Sequence, residues 1–422
     1  MHSTAPRRAL PGVFDPAAVF AAVLDGRDGV FWLDSGADGI SYLGDGIPLD
    51  ASAATVWPSL QAIPGGAHLA AVGWLGYELR AGTTGARVEH ASRYPDAAFL
   101  AVDRVIAIDG ATGSLEVMGA AGDWLDRLRE LEGVPAPPVR PAPPTPAHWH
   151  TTDDEYLASI AACQEAIVEG DAYLLCLTNE AEVPGDFDPL QVHLRLRASS
   201  PSHHSALIRI GGVSLLSSSP EQFLVASVEG DVATRPIKGT RMRGDTPSVD
   251  DAQIEQLRSS EKERAENVMI VDLMRNDLAR VCEPGSVTVS ELLEVESYPQ
   301  VHQLVSTVVG HLATGRNAVD ALEACFPAGS MTGAPKLAAT QLLDRLENRA
   351  RGLYSGCFGY LSADGSADFA MTIRTIVLDA EGATVGAGGG ITALSVPGEE
   401  LFEVKLKAAA PLAALGVPRE LH

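Results

Sequence analysis

SALIRIGGVSLLSSSPEQFLVASVEGDVATRPIKGTR, residues 205–241, decides the fold class of this chain. Short apolar runs are cut at Gly211-Gly212, Ser219-Pro220 and Glu229-Gly230-Asp231, the punctuation of an antiparallel meander. A two-residue turn at Glu229-Gly230 sets residue 228 opposite 231. Counting outward then puts Glu221 opposite Lys238, with Cβ atoms roughly 5 Å apart. Lys238 lies between Pro236, which fixes φ, and Gly239, which lets another group come close. An amine held there becomes a nucleophile if burial or a neighbouring charge lowers its pKa. Taken alone, the same residues also describe a surface lysine in a turn, or a plain cross-strand ion pair with Glu221.

Helical patterns flank the meander, so the chain reads as α+β. Thr152 and Glu155 fit a capping box before Tyr156, Leu157, Ile160 and Ile167, and Gly170 stops that helix. Residues 172–183 (AYLLCLTNEAEV) read as a strand. A long helix is expected from Ser260 to about Val281, another from near Pro335, and a last one over about 398–414. Strands are expected around 354–361, 367–378 and 383–387. Before the meander, VFWLDS (30–35) and HLAAVGWLGYELR (68–80) look like buried strands or strand–turn units. Residues 134–147, VPAPPVRPAPPTPA, exclude helix and favour an extended segment. The chain divides there into an N-terminal part (1–134), a proline-rich linker or surface loop (135–147) and a region from 148 to 415.

At 46% hydrophobic and 20% charged, the 422 residues have a globular balance, enough for one large core or two domains. No apolar run is long enough to span a bilayer, and MHSTAPRRALPGVF does not read as a signal peptide. Five widely spaced cysteines form no disulfide framework and point to a reducing cytoplasm. The formal charge of −24 argues against nucleic acid or an anionic membrane as partner. An anionic substrate would need a local correction: a bound cation, helix N-termini or a few arginines.

Two helices carry glutamates at i, i+3, which share one face. They are Glu263 and Glu266, and Glu400 and Glu403. Two such faces meeting would suit Mg²⁺, which keeps several waters and takes few protein carboxylates. Each pair alone also reads as a solvated helix face, and Glu263 as the partner of Ser260 in a capping box. Lys407 lies one turn beyond Glu403. Gly388, Gly389 and Gly390 form a run after a strand whose amides would cradle an anion, or make a tight turn. Arg374, in a strand-like segment, needs a partner: a substrate carboxylate or a buried acid.

In order, SSPEQF (218–223), RPIKGTRMRG (235–244), EKERAENVMIVDLMRNDLARV (261–281), VHQLVSTV (301–308), FPAGSMTGAPK (326–336), RGLYSGCFGY (351–360), FAMTIRT (369–375), GAGGGI (386–391) and EELFEVKLKA (399–408) resemble the chorismate-utilising enzymes. GWLGYELR (73–80) extends the likeness towards the N-terminus. The resemblance implies a sandwich of two large, mostly antiparallel sheets with helices outside. Within the family, PIKGT is similar to the aminodeoxychorismate synthase branch; anthranilate synthases usually carry alanine where Lys238 stands. It implies that Lys238 adds to C2 of chorismate, Glu221 protonates the departing C4 hydroxyl, and ammonia then displaces the lysine to give 4-amino-4-deoxychorismate, the precursor of p-aminobenzoate, for folate or a secondary metabolite. Thr240 would belong to the same catalytic motif.

By the same resemblance Glu266 and Glu403 would hold Mg²⁺, with Glu263 and Glu400 in support. Tyr354, Arg374, Lys407 and the amides of Gly388 to Gly390 would bind substrate. Two departures stand out. Gln303 holds the place where the family often has histidine, and lines the site as a hydrogen-bonding group, while His302 would face away. Leu174 stands near the position where water-adding relatives carry a lysine base, which disfavours isochorismate synthesis. No glutaminase motif is present, so a separate glutamine amidotransferase subunit is implied. Anthranilate synthase component I is the alternative enzyme. A catalytically silent chorismate- or metal-binding subunit would have lost Glu221, Lys238 or a metal glutamate, and all are present.

Overall fold

The computed structural model describes residues 7–37, 39–63, 69–119, 122–298 and 301–418. The first six residues, part of the stretch read as lacking a leader, lie outside it. Every strand pairing is antiparallel, and the strands form two large sheets hinged on one long strand, Ala97–Asp109. Its first residues pair with Leu69–Leu75, and its remainder with Ile40–Pro48. From the second partner the sheet runs through Val30–Asp34, His204–Ile210, Val213–Ser219, Thr375–Asp379 and Gly382–Ile391 to Leu174–Pro184. From the first it runs through Cys357–Ser362, Ala367–Met371, Gln222–Ala226 and Asp231–Thr234 to Val301–His311. The sandwich is the one the resemblance implied.

Strands from residues 30–109 therefore pair with strands from both ends of the later region. Residues 135–147 lie along the helix Pro189–Ser199. The Arg140 amide donates to Gln191 Oε1 (2.9 Å), the Arg140 guanidinium pairs with Asp188 (2.6 Å), and the Thr145 amide reaches the Gly416 carbonyl (3.1 Å).

Local sequence explains most elements. The helix Asp153–Glu169 has its full capping box, and Gly170 ends it in the left-handed conformation (φ 88°). The helix Glu261–Ala279 is capped by Ser260, whose hydroxyl accepts from the Glu263 amide. Pro335 is the N-cap of Lys336–Glu347, one residue before the first turn expected for it. The segment expected as one strand over 367–378 is two, broken at Arg374, which takes a positive φ of 48°.

The meander forms, but its register corrects the expected one. Val225 faces Ala233 and Ala226 faces Val232, so the loop is Val228–Gly230, three residues rather than two. A one-residue slip exchanges the two faces of a strand. The chain also leaves this ladder after Thr234, and Ile237–Met242 pairs instead with Val301–His311. Glu221 and Lys238 are therefore not cross-strand neighbours.

At the centre lies a buried ionic network. Arg351, 2% exposed, donates to both Glu347 oxygens, to the Met331 and Cys176 carbonyls (2.7 Å each) and to Ser355 Oγ, and stacks on Tyr77. Glu78 accepts the Arg351 and Gly352 amides, and Arg80 pairs with Asp344. Removing one partner of such a pair strands a buried charge. Arg351→Met is expected to lower stability by about 3–5 kcal/mol, read as a shifted urea midpoint. Residues 1–134 and 148–422 expressed separately are expected to give no cooperative unfolding transition until mixed, because the strands they would pair are on different pieces.

Candidate functional site

Lys238 owes its position to a break in its own strand. Ile237 pairs with Val305 and Thr240 with Gln303, and between them the register shifts. The extra residue falls at Lys238-Gly239, with Gly239 at φ 87°. Bulges of this kind bend a strand and re-aim a side chain. The positive φ favours glycine there, and a Cβ on Gly239 would also lie 2.5 Å from Glu263 Oε2, so that carboxylate would have to shift. The Lys238 amine donates to the Ser330 carbonyl at 3.3 Å.

Glu221 is 5% exposed, at the turn entering Gln222–Ala226. Burial pushes its carboxyl pKa up, opposed by the nearby charges of Lys238 and Lys407 and by the Ser330 hydroxyl. No atom satisfies that hydroxyl in good hydrogen-bond geometry, so its contact with Glu221 is loose. The acid and the lysine thus act on each other through space within one sheet, both beside Ser330, and not as partners in a ladder. A carboxyl raised by burial holds its proton more tightly than a solvated one, the direction a proton donor needs.

The glutamates converge from two helices onto one strand. Gly388–Gly390 form no turn: they lie within Gly382–Ile391, paired to Leu174–Pro184. A Cβ on Gly389 would lie 3.3 Å from Glu400 Oε2 and 3.9 Å from Glu403 Oε1. A Cβ on Gly390 would lie 3.1 Å from Glu266 Oε2 and 3.1 Å from Leu174 Cδ1. Burial, with Glu400 and Glu403 adding, pushes Glu266 up to about 7 against Lys238 and Lys262. Lys407, 2.6 Å away, holds Glu403 below the usual carboxylate range despite its burial. Burial pulls the Lys407 amine down, but Glu403 outweighs it and the net direction is upward. Lys407 also donates to the Gly388 carbonyl (2.9 Å).

Glu263 stands apart from the other three. It pairs with Arg241 at 2.8 Å beside Gly239, and does not reach back to complete a box with Ser260. Glu266 Oε1 and Glu400 Oε2 are buried without a hydrogen-bond partner, and glycine backbone leaves room beside them. Unpaired carboxylate oxygens of this kind fit a hard divalent cation such as Mg²⁺. Among the described residues, three potential ligand atoms come within 4.8 Å of one another only at Glu89, His90 and Asp344. There Arg80 and the Glu89 amide already occupy Asp344. The three glutamates are spread more widely, with the ammonium of Lys262 among them.

Arg374 lies where the ladder between Thr375–Asp379 and Gly382–Ile391 stops. That ladder ends at Ile376 and Val385, so Ala387 to Gly390 present an open strand edge beside it. Its carbonyl accepts from Ser218. Its guanidinium has no ion pair or hydrogen bond among the described residues, and burial lowers its pKa. A left-handed arginine with an unused guanidinium holds strain of the sort found at ligand clamps. Tyr354, 6% exposed, packs its ring against Gly386, and burial raises its phenol far above the usual range, so it stays a hydrogen-bond donor. Gln303 is buried opposite Thr240.

His302 is fully buried and engaged at both nitrogens, with Ser297 Oγ (2.7 Å) and Asp250 (2.8 Å). It braces the lysine strand and is not aimed at a substrate. Three contributors escaped the sequence reading. Lys262 pairs with Glu400. Asn267 accepts from Ser306 and donates to the Leu304 carbonyl, docking the Glu261–Ala279 helix on the strand behind Lys238. Arg351 holds Cys176, opposite Gly390, and Met331, next to Ser330. The i, i+4 step from Lys262 to Glu266 was visible as a signal; the other two depend on tertiary contact. Gly386→Ala would put a methyl 2.2 Å from Tyr354 Cγ. It is expected to displace the ring, cost about 1–3 kcal/mol of stability and weaken ligand binding, seen by thermal melts with and without chorismate.

Comparison with known proteins places the whole chain. The chorismate binding enzyme family matches residues 16–413. An aminodeoxychorismate synthase of Streptomyces pristinaespiralis is 44% identical, over 84% of this chain and 51% of its own. The chloroplastic aminodeoxychorismate synthase of Arabidopsis thaliana is 41% identical, over 82% and 40%. The chain thus spans about half the length of these relatives. Anthranilate synthase component 1 of Streptomyces coelicolor is 36% identical, over 95% and 86%. The crystal structure of anthranilate synthase component I from Streptococcus pneumoniae superposes with a TM-score of 0.75 at 27% identity, covering 96% of this chain and 93% of that one. The match to one family over nearly the whole sandwich leaves a single conclusion: the chain belongs to the chorismate binding enzymes.

Proposed function

We propose that this chain converts chorismate and ammonia to 4-amino-4-deoxychorismate. The observation that carries the reading is Lys238, presented on a glycine bulge within reach of the charges of Glu221, Glu266 and Glu403. Its amine attacks C2 of chorismate, the double bond shifts, and the C4 hydroxyl leaves as water with a proton from Glu221. Ammonia then forms the new C–N bond at C4, the double bond returns, and Lys238 is released from C2. The ring keeps its pyruvyl ether throughout. Arg374 and the open edge at Gly388 to Gly390 suit one substrate carboxylate, with Tyr354 nearby as donor.

Glu266, Glu400 and Glu403 would hold Mg²⁺, and Glu263 supports them by tying its helix, through Arg241, to the lysine strand. When bound, the ion would neutralise a substrate carboxylate and polarise the ring. Lys407 guards the same carboxylates. This local set of cations answers the charge problem posed by a protein of net charge −24. A glutamine amidotransferase partner would supply the ammonia, in a compartment such as the cytoplasm. Among the described residues no helix is long and apolar enough to cross a membrane.

The anthranilate synthase reading has one observation in its favour, since relatives of that name are matched over more of their length. Incubation with chorismate, Mg²⁺ and ammonium, with products resolved by mass spectrometry, separates the two. Aminodeoxychorismate is the expected product, and anthranilate would overturn the assignment. Lys238→Ala should abolish turnover while leaving the fold intact; unchanged turnover would remove the covalent step. Glu221→Gln should slow the reaction by about 10²–10⁴-fold, the usual worth of a positioned proton donor. Glu266→Gln should shift the Mg²⁺ activation curve to higher concentration, and an unaltered curve would count against its role.

A further inference from the structure

Lys262 stands within the carboxylate cluster, and no step of the reaction above uses it. Its ammonium pairs with Glu400 Oε1 and lies 3.8 Å from Glu266 Oε1. The two acids are fixed: Glu400 is 1% exposed and Glu266 6%. The lysine side chain is 29% exposed and sits in the first turn of its helix, at the rim. The arrangement is therefore immobile acids below and a long, flexible cation above. Neither Glu266 Oε1, at that 3.8 Å distance, nor the other Glu400 oxygen, Oε2, has a hydrogen-bond partner, and both are buried. Two buried carboxylates with no cation between them would be costly, and the lysine point charge relieves that cost.

We propose that Lys262 is an internal counter-ion that holds the metal seat and must swing out to solvent before a divalent cation takes Glu266 and Glu400. The inference rests on the Mg²⁺ reading given above. A monovalent and a divalent cation at one pair of carboxylates repel each other, so occupancy by one excludes the other. Lys407 differs, because the Gly388 carbonyl pins its amine as well as Glu403 does, and it stays in place. A seat held by the ammonium for about nine-tenths of the time weakens apparent metal affinity about tenfold. Lys262 thereby keeps the empty site folded and sets the Mg²⁺ concentration at which it fills.

Calorimetric titration of the full chain with MgCl₂, with and without chorismate, tests this. Lys262→Met, which keeps the stem, and Lys262→Gln should bind Mg²⁺ about tenfold more tightly than the parent. Both should melt at lower temperature without metal and gain more from added Mg²⁺. Folded variants with unchanged or weaker Mg²⁺ affinity would overturn the proposal, because a lysine with only a structural role lowers the melting temperature alone. The parent protein gives a second readout without any substitution. Saturating Mg²⁺ should increase acetylation of Lys262, followed by mass spectrometry, and unchanged or reduced labelling would also overturn it. If the parent shows no saturable Mg²⁺ binding with or without chorismate, the metal reading itself fails, an outcome distinct from failure of the Lys262 role alone.

Discussion

The guanidinium of Arg351 is the constraint on which the site depends. Taking an arginine out of water costs several kcal/mol, and the cost is recovered only if its donors are met in good geometry. Here Glu347 takes a bidentate pair, and the carbonyls of Met331 and Cys176 and the hydroxyl of Ser355 take the rest. Those acceptors belong to separate parts of the chain. Met331 follows Ser330, the acceptor of the Lys238 amine, and Cys176 is the ladder partner of Gly390. One buried charge therefore fixes the wall behind the lysine and the strand that faces the glutamates. Tyr77 stacks on the same guanidinium and Glu78 accepts the Arg351 backbone amide, which makes the N-terminal strands part of the site's support.

Glycine does the complementary work of leaving space. At Gly239 a positive φ strains any side chain, and the Glu263 carboxylate would have to move to admit one. At Gly389 and Gly390 the backbone is ordinary strand, and what matters is the room left for carboxylates on two helices. Gly386 serves Tyr354 in the same way. Into this space the fold brings Lys238, Lys262 and Lys407 against Glu221, Glu266, Glu400 and Glu403. Electrostatics are thus settled locally, while the overall negative charge stays on the surface, where water screens it.

Much of this was legible in the sequence because local rules set it. The capping box at Thr152, the meander and the i, i+3 glutamate pairs all follow from short-range periodicity. The failures share one cause. The Glu229-Gly230 turn was misjudged by a residue, since loop length is chosen by how the following strands pair. Pairing was in turn decided by Val301–His311, which captured the lysine strand far along the chain. The glycine run reads equally as a turn or an open strand until its partner, Leu174–Pro184, is known.

Glu263 shows the same limit at the level of one side chain. Helical spacing puts it on one face with Glu266, yet Arg241 draws it to the lysine strand. The face is local information, whereas the partner is tertiary. His302 carries the converse lesson. In sequence, strand alternation already turns it away from the site, and the fold supplies the partners, Ser297 and Asp250, that take both its nitrogens. An imidazole with both nitrogens committed has no free lone pair or proton to exchange with a substrate. In the reaction proposed above the acid–base work falls instead to Glu221 and Lys238, whose mutual approach no strand register encodes.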